Sequence, residues 1–75
     1  MTEAKEIVTS RGLPSPDMRR ALRREAQLRL EDVAAAIGVT RSAVSRWETG
    51  KRTPMGRNRT AYSQFLNELE SLRRA

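Results

Sequence analysis

The residues of this 75-residue chain best equipped for chemistry are its arginines. Fifteen basic residues stand against nine acidic ones, a formal net charge of +6, and thirteen of the fifteen are Arg. A guanidinium is a planar fork of donors that fits phosphate oxygens and the O6/N7 edge of guanine, whereas Lys acts mainly as a point charge. There is no His and no Cys. Their absence removes an imidazole acid or base, a thiolate nucleophile, a zinc site of the usual kind and a disulfide framework. The adjacent acids Glu31 and Asp32 suit a helix N-terminus better than a catalytic dyad, and no glycine-rich phosphate cradle is present. The chain is therefore expected to carry no catalytic residue, no metal and no cofactor. Basic domains of this size bind nucleic acid, an anionic membrane surface or an acidic partner.

The charge is unevenly placed. Residues 16–29 sum to +3 and residues 51–60 to +4, and between them residues 30–50 sum to −1. Two basic flanks around a nearly neutral segment fit two points of backbone contact on either side of an inserted element. No apolar run reaches the length of a bilayer span and no secretory h-region opens the chain. A cytoplasmic protein without a membrane partner is expected, and at this length no separate sensor domain or small-molecule effector. A chain this short buries only about 60% of the surface its unfolded form exposes, so a partner would add useful stability.

The elements that must position the arginines read as all-α. No β-branched alternation extends beyond Ile7-Val8, and no hairpin turn appears. Residues 1–14 read as a flexible tail with the option of a short helix, from which Lys5 and Arg11 could reach along a groove. Ser15-Pro16-Asp17 is a strong helix start, with Ser as N-cap and Pro at the first helical position. The spacing predicts a helix over 16–27, with Met18, Leu22 and Ala26 inward and Arg19, Arg20, Arg23 and Arg24 outward. Further helices are expected over 30–37, 41–49 and 57–73. Gly38 and Gly50 act as stops and Thr40 as a cap. Tyr62, Phe65 and Leu66 should close a core against Val44 and Trp47.

The stretch from Leu30 to Trp47 carries the most information. A small residue, Ala34, stands where two steeply crossed helices would approach each other, and Gly38 stands where the turn needs positive φ. Val33, Ile37, Val39, Val44 and Trp47 fill the inward positions of both helices, leaving Arg41, Ser42, Ser45 and Arg46 outward. This pattern, continued through Glu48-Thr49-Gly50-Lys51-Arg52-Thr53-Pro54, resembles the helix-turn-helix of the lambdoid phage repressor and Cro (XRE-like) family over roughly residues 15–72.

The resemblance implies a compact four- to five-helix bundle of the lambda-repressor-like type. It implies a transcriptional regulator that reads double-stranded DNA, through a helix starting at Arg41 that enters the major groove. Matched residue by residue, Arg41, Ser42, Ser45 and Arg46 would contact bases, and Arg29, Thr40, Lys51, Arg52, Arg57 and Arg59 would contact phosphates. Arg23 and Glu48 match a pair that ties the first helix to the reading helix, supported by Ala34, Gly38 and Trp47. The family commonly has a Ser or Thr cap followed by Gln where this chain has Arg29 and Leu30, a change expected to weaken that cap. Leu69 and Leu72 fall where family members dimerise on a palindromic operator, which implies a homodimer on DNA. A small repressor of the Cro type is the leading expectation. An excisionase-like architectural DNA-binding protein and an antitoxin-type protein-interaction module stand beside it.

Overall fold

The computed structural model describes residues 13–74. They form four helices: α1 (Pro16–Glu25), α2 (Leu30–Ile37), α3 (Arg41–Thr49) and α4 (Gly56–Arg74). No strand occurs among the described residues. The expected N-terminal tail, with Lys5 and Arg11, falls on residues 1–12 and so lies outside the described residues.

Each helix boundary has a local chemical cause. At α1 the Ser15 hydroxyl accepts the Met18 N–H at 3.2 Å, and Pro16 supplies a first residue that needs no N–H partner. At α3 the Thr40 hydroxyl accepts the Ala43 N–H at 3.1 Å. Gly38 (φ 89) and Gly50 (φ 79) end α2 and α3 in the left-handed conformation that side chains with a Cβ rarely adopt. The start of α2 is better held than its sequence promises. Arg29 offers no acceptor, but the Asp32 carboxylate reaches back and accepts the Arg29 backbone N–H at 2.8 Å. That hydrogen bond holds the Asp32 carboxyl below the usual carboxylate range.

The first helix is shorter than the expected 16–27. It ends at Glu25, and Gln27 turns the chain at φ 60, the one described non-glycine residue with positive φ. This early stop leaves Ala26 exposed instead of inward. The turn also sets the Leu28 carbonyl facing Arg23, whose Nη1 donates to it at 2.9 Å.

The core is built from Leu22 of α1, Val33 and Ala34 of α2, Val44 and Trp47 of α3, and Tyr62, Leu66 and Leu69 of α4. Leu13, Leu28, Leu30, Ile37, Val39, Ala43 and Phe65 pack around it, half-buried. Trp47 and Tyr62 meet with ring centroids 4.7 Å apart at 41°, the tilted arrangement that aromatic quadrupoles favour. Ala34 is buried where α2 crosses α3, as a close approach of two backbones requires. The expectation that Leu69 lies on a dimer face is corrected here. It is only 7% exposed and finishes the core of one chain, whereas Leu72 is 70% exposed.

Candidate nucleic-acid interface

The outward face of α3 is polar and basic. Arg41, Ser42 and Arg46 are exposed and Ser45 is half-buried, while Val44, Trp47 and Glu48 turn into the protein. This division follows from helical periodicity: positions three and four apart share a face, so 44, 47 and 48 bury together. The exposed set contains no acidic residue.

The basic loop after α3 is tied to that face through one atom. The Arg46 carbonyl accepts the N–H of Gly50, of Lys51 at 3.0 Å and of Arg52 at 3.3 Å, and also the Thr49 hydroxyl at 3.2 Å. The N–H groups of three successive loop residues thus converge on the last turn of α3. Lys51 and Arg52 are exposed and begin where the helix stops, and Pro54 is buried and anchors the far end of the loop. Arg46 and Arg52 both line an open cavity of about 360 Å³ floored by Ala43 and Trp47, with Met55 and Asn58 at its edge. Met55 is 78% exposed, an apolar side chain standing among cations.

The other basic positions divide. Arg57 is exposed on the first turn of α4. Arg59 is half-buried on α4, close enough to Arg19 for its charge to be felt there. Arg29 is exposed at the start of α2 between two carboxylates, 3.6 Å from Glu31 and 3.5 Å from Asp32. Thr40 is exposed, and a hydroxyl that accepts a backbone N–H keeps its own proton for a further acceptor.

Two arginines hold the reading helix from behind. Arg23 forms a bidentate pair with Glu48, Nε to Oε2 at 2.6 Å and Nη2 to Oε1 at 2.9 Å, while its third donor takes the Leu28 carbonyl. The two side chains are 14% and 6% exposed, and Glu48 raises the proton affinity of Arg23. This one residue joins α1, the turn before α2, and α3.

Arg19 is the functional residue that sequence reasoning placed wrongly. It is not on the outer face of α1 but buried, with Nε donating to the Pro14 carbonyl at 2.6 Å and Nη1 to the Trp47 carbonyl at 2.8 Å. Burial lowers its pKa from the ordinary arginine range, and a guanidinium remains charged there nonetheless. The signal was available in the spacing: Arg19, Leu22 and Arg23 are three and four apart and share one face. Arg20 and Arg24 do lie outward.

Tyr62 lies at the centre of this support, 1% exposed, and its hydroxyl has no hydrogen-bond partner among the described residues. Burial pushes its pKa up to about 12, with the nearby Glu48 charge adding to the effect.

No group of acidic or sulfur and nitrogen ligands suited to a metal occurs among the described residues, and no described helix is long and apolar enough to cross a membrane. A family model described as helix-turn-helix matches residues 20–71, more than half of the chain. No curated protein and no solved structure gives a match.

Proposed function

This chain belongs to the lambda-repressor-like, XRE-type helix-turn-helix family and is a DNA-binding regulator of that type; we propose that it is a small repressor of the Cro kind, reading a specific operator through the major groove. The observation that carries the proposal is the exposed face of α3, with Arg41, Ser42 and Arg46 outward and a basic loop fastened to its last turn. An α-helix fits the major groove, and an Arg that donates twice to guanine O6 and N7 supplies about 1–3 kcal/mol of discrimination. Ser42 and Ser45 add hydrogen bonds of lower selectivity. Lys51 and Arg52 neutralise phosphates beside the groove, and Arg29, Thr40, Arg57 and Arg59 extend that contact, which carries affinity without sequence information.

Repression in this reading is steric: the protein occupies its operator and excludes polymerase from the promoter. Such regulators are at home in a phage genome or its bacterial host. Two copies bind a palindromic site with their α3 helices about one turn of DNA, roughly 34 Å, apart. The dimensions of one copy, 37 × 29 × 19 Å, suit that spacing. Leu72 is the exposed apolar residue at the α4 end, beside a groove of about 230 Å³ formed with Leu22, Ala26 and Leu69. In this proposal Leu72 packs against a second copy.

The test is equilibrium binding to duplex DNA across a salt series. A dimer making about 8–10 phosphate contacts gives a log–log slope of roughly −7 to −9. A slope near zero rules out binding through this surface, and a steep slope with no preference among sequences rules out operator reading.

A further inference from the structure

Glu31 is an acidic residue placed against the DNA-facing cations. It is the second residue of α2, and Arg41 is the first residue of α3. Its Oε1 lies 3.5 Å from Arg41 Nε, and its Oε2 lies 3.6 Å from an Nη of Arg29. One carboxylate therefore spans two helix starts and pairs with a cation from each. A carboxylate at this position already favours the N-terminal dipole of α2, which needs no contact with another helix. The reach to Arg41 is additional.

The geometry of that reach matters. The contact is made through Nε, on the inner edge of the guanidinium. In the proposed reading of Arg41, the two terminal nitrogens, the pair with the spacing for guanine O6 and N7, serve the base. The exposure of both side chains, 65% for Arg41 and 50% for Glu31, keeps the pair accessible to a ligand. At the same time a negative charge stands within a Debye length of phosphates on any duplex that α3 enters.

We infer that Glu31 is a positioning residue that sets the selectivity of Arg41 at a cost in overall affinity. The inference rests on the proposed base-reading role of Arg41 and adds its control. Held at Nε, Arg41 samples fewer rotamers and presents its fork in one direction, so a wrong base meets a donor pair that cannot swing to a phosphate instead. The Glu31 charge repels every duplex alike. The two effects have opposite signs, a combination that a purely structural role at an exposed helix end does not produce.

The experiment uses the full chain with a randomised duplex pool as probe, sequencing bound and free fractions for wild type, Glu31→Gln, Glu31→Asp and Arg41→Ala. Glu31→Gln is expected to bind the pool about two- to fivefold tighter, the range set by an exposed charge pair. The base preference that Arg41→Ala erases should weaken by a similar factor in the same variant. Glu31→Asp keeps the charge and shortens the reach, so pool affinity stays at the wild-type value while the preference weakens. If Arg41→Ala erases a preference that Glu31→Gln leaves intact, the positioning role is wrong and the reading role stands. A Glu31→Gln variant that binds the pool no tighter overturns the affinity half of the inference. If Arg41→Ala erases no preference, the reading role of Arg41 falls, and this inference with it.

Discussion

Arg19 and Arg23 of α1 and Arg41 and Arg46 of α3 carry the same side chain in opposite surroundings. The first two are enclosed, and each of their observed hydrogen bonds goes to a fixed acceptor: the Pro14, Trp47 and Leu28 carbonyls and the Glu48 carboxylate. The second two project into solvent, Arg41 sharing an exposed carboxylate with Arg29. Residue type therefore does not separate an arginine that holds from one free to read. The acceptors that surround each side chain do: Arg19 and Arg23 lie beside the buried Leu22 and meet carbonyls and a carboxylate inside the protein. The interior pair fixes the angle at which α3 is presented, and the exposed pair is what α3 presents.

Breaking the interior set should give the largest effect. Glu48→Ala leaves Arg23 buried without its carboxylate, and loss of one partner from such a pair costs about 3–5 kcal/mol. For a 75-residue domain that is a large part of total stability, so urea denaturation should show a nearly unfolded variant. Arg23→Ala should behave alike, and the double variant should lose less than the two single losses combined. High salt should leave this pair intact while weakening DNA binding, which separates interior from exposed arginines in one titration.

Arg19→Leu should come next. Two carbonyls lose charged donors, and hydrogen bonds of that kind contribute about 1.5–3 kcal/mol each, part of which the apolar replacement offsets by packing. A loss of about 2 kcal/mol in thermal or chemical unfolding is expected, whereas Arg20→Leu at the exposed neighbouring position should change stability by under about 0.5 kcal/mol. Equal losses at the two positions would remove the distinction between an inner and an outer arginine on α1.

Tyr62 sharpens the same contrast through pH. Its folded pKa is raised to about 12 from an ordinary value of 10.0, so the unfolded chain releases the proton first. The Tyr62 contribution to stability is fully present well below pH 10.0 and is lost as pH rises through about 12, by about 3 kcal/mol in all. Tyr62→Phe should abolish this alkaline loss in pH-dependent denaturation and keep the fold, since the hydroxyl it removes has no partner among the described residues.

The smallest effects belong to the loop. Lys51→Ala and Arg52→Ala should each weaken binding to all duplexes by about fivefold and flatten the log–log salt slope by about 0.9, leaving base preference unchanged. A change of preference in either variant would make the loop part of the reading surface.

Much of this arrangement is legible in the sequence because short-range chemistry writes it there. Ser15, Thr40, Gly38 and Gly50 mark helix ends by properties of the residue itself, and the Leu30–Trp47 spacing marks the crossing of α2 and α3. The Arg23–Glu48 pair is legible through family resemblance alone, since the two residues are distant in sequence. What stayed hidden depends on tertiary context. The spacing puts Arg19 on the face of Leu22, but its acceptors, the Pro14 and Trp47 carbonyls, exist only once the tertiary fold brings them there. The end of α1 at Glu25 has no glycine to announce it, because Gln27 takes the left-handed conformation itself. Asp32 repairs the weak cap at Arg29 from three residues away, and Leu69 and Leu72 differ in burial although both fit the same helical stripe.

The most direct measurement is selection of bound sequences from random duplex DNA by wild type, Arg41→Ala and Arg46→Ala. Wild type should enrich a defined motif with two-fold symmetry, and each variant should lose preference at one position per half-site while keeping the rest, with guanine the base lost. Enrichment of no motif by wild type, or motifs in both variants identical to that of wild type, would contradict reading by α3.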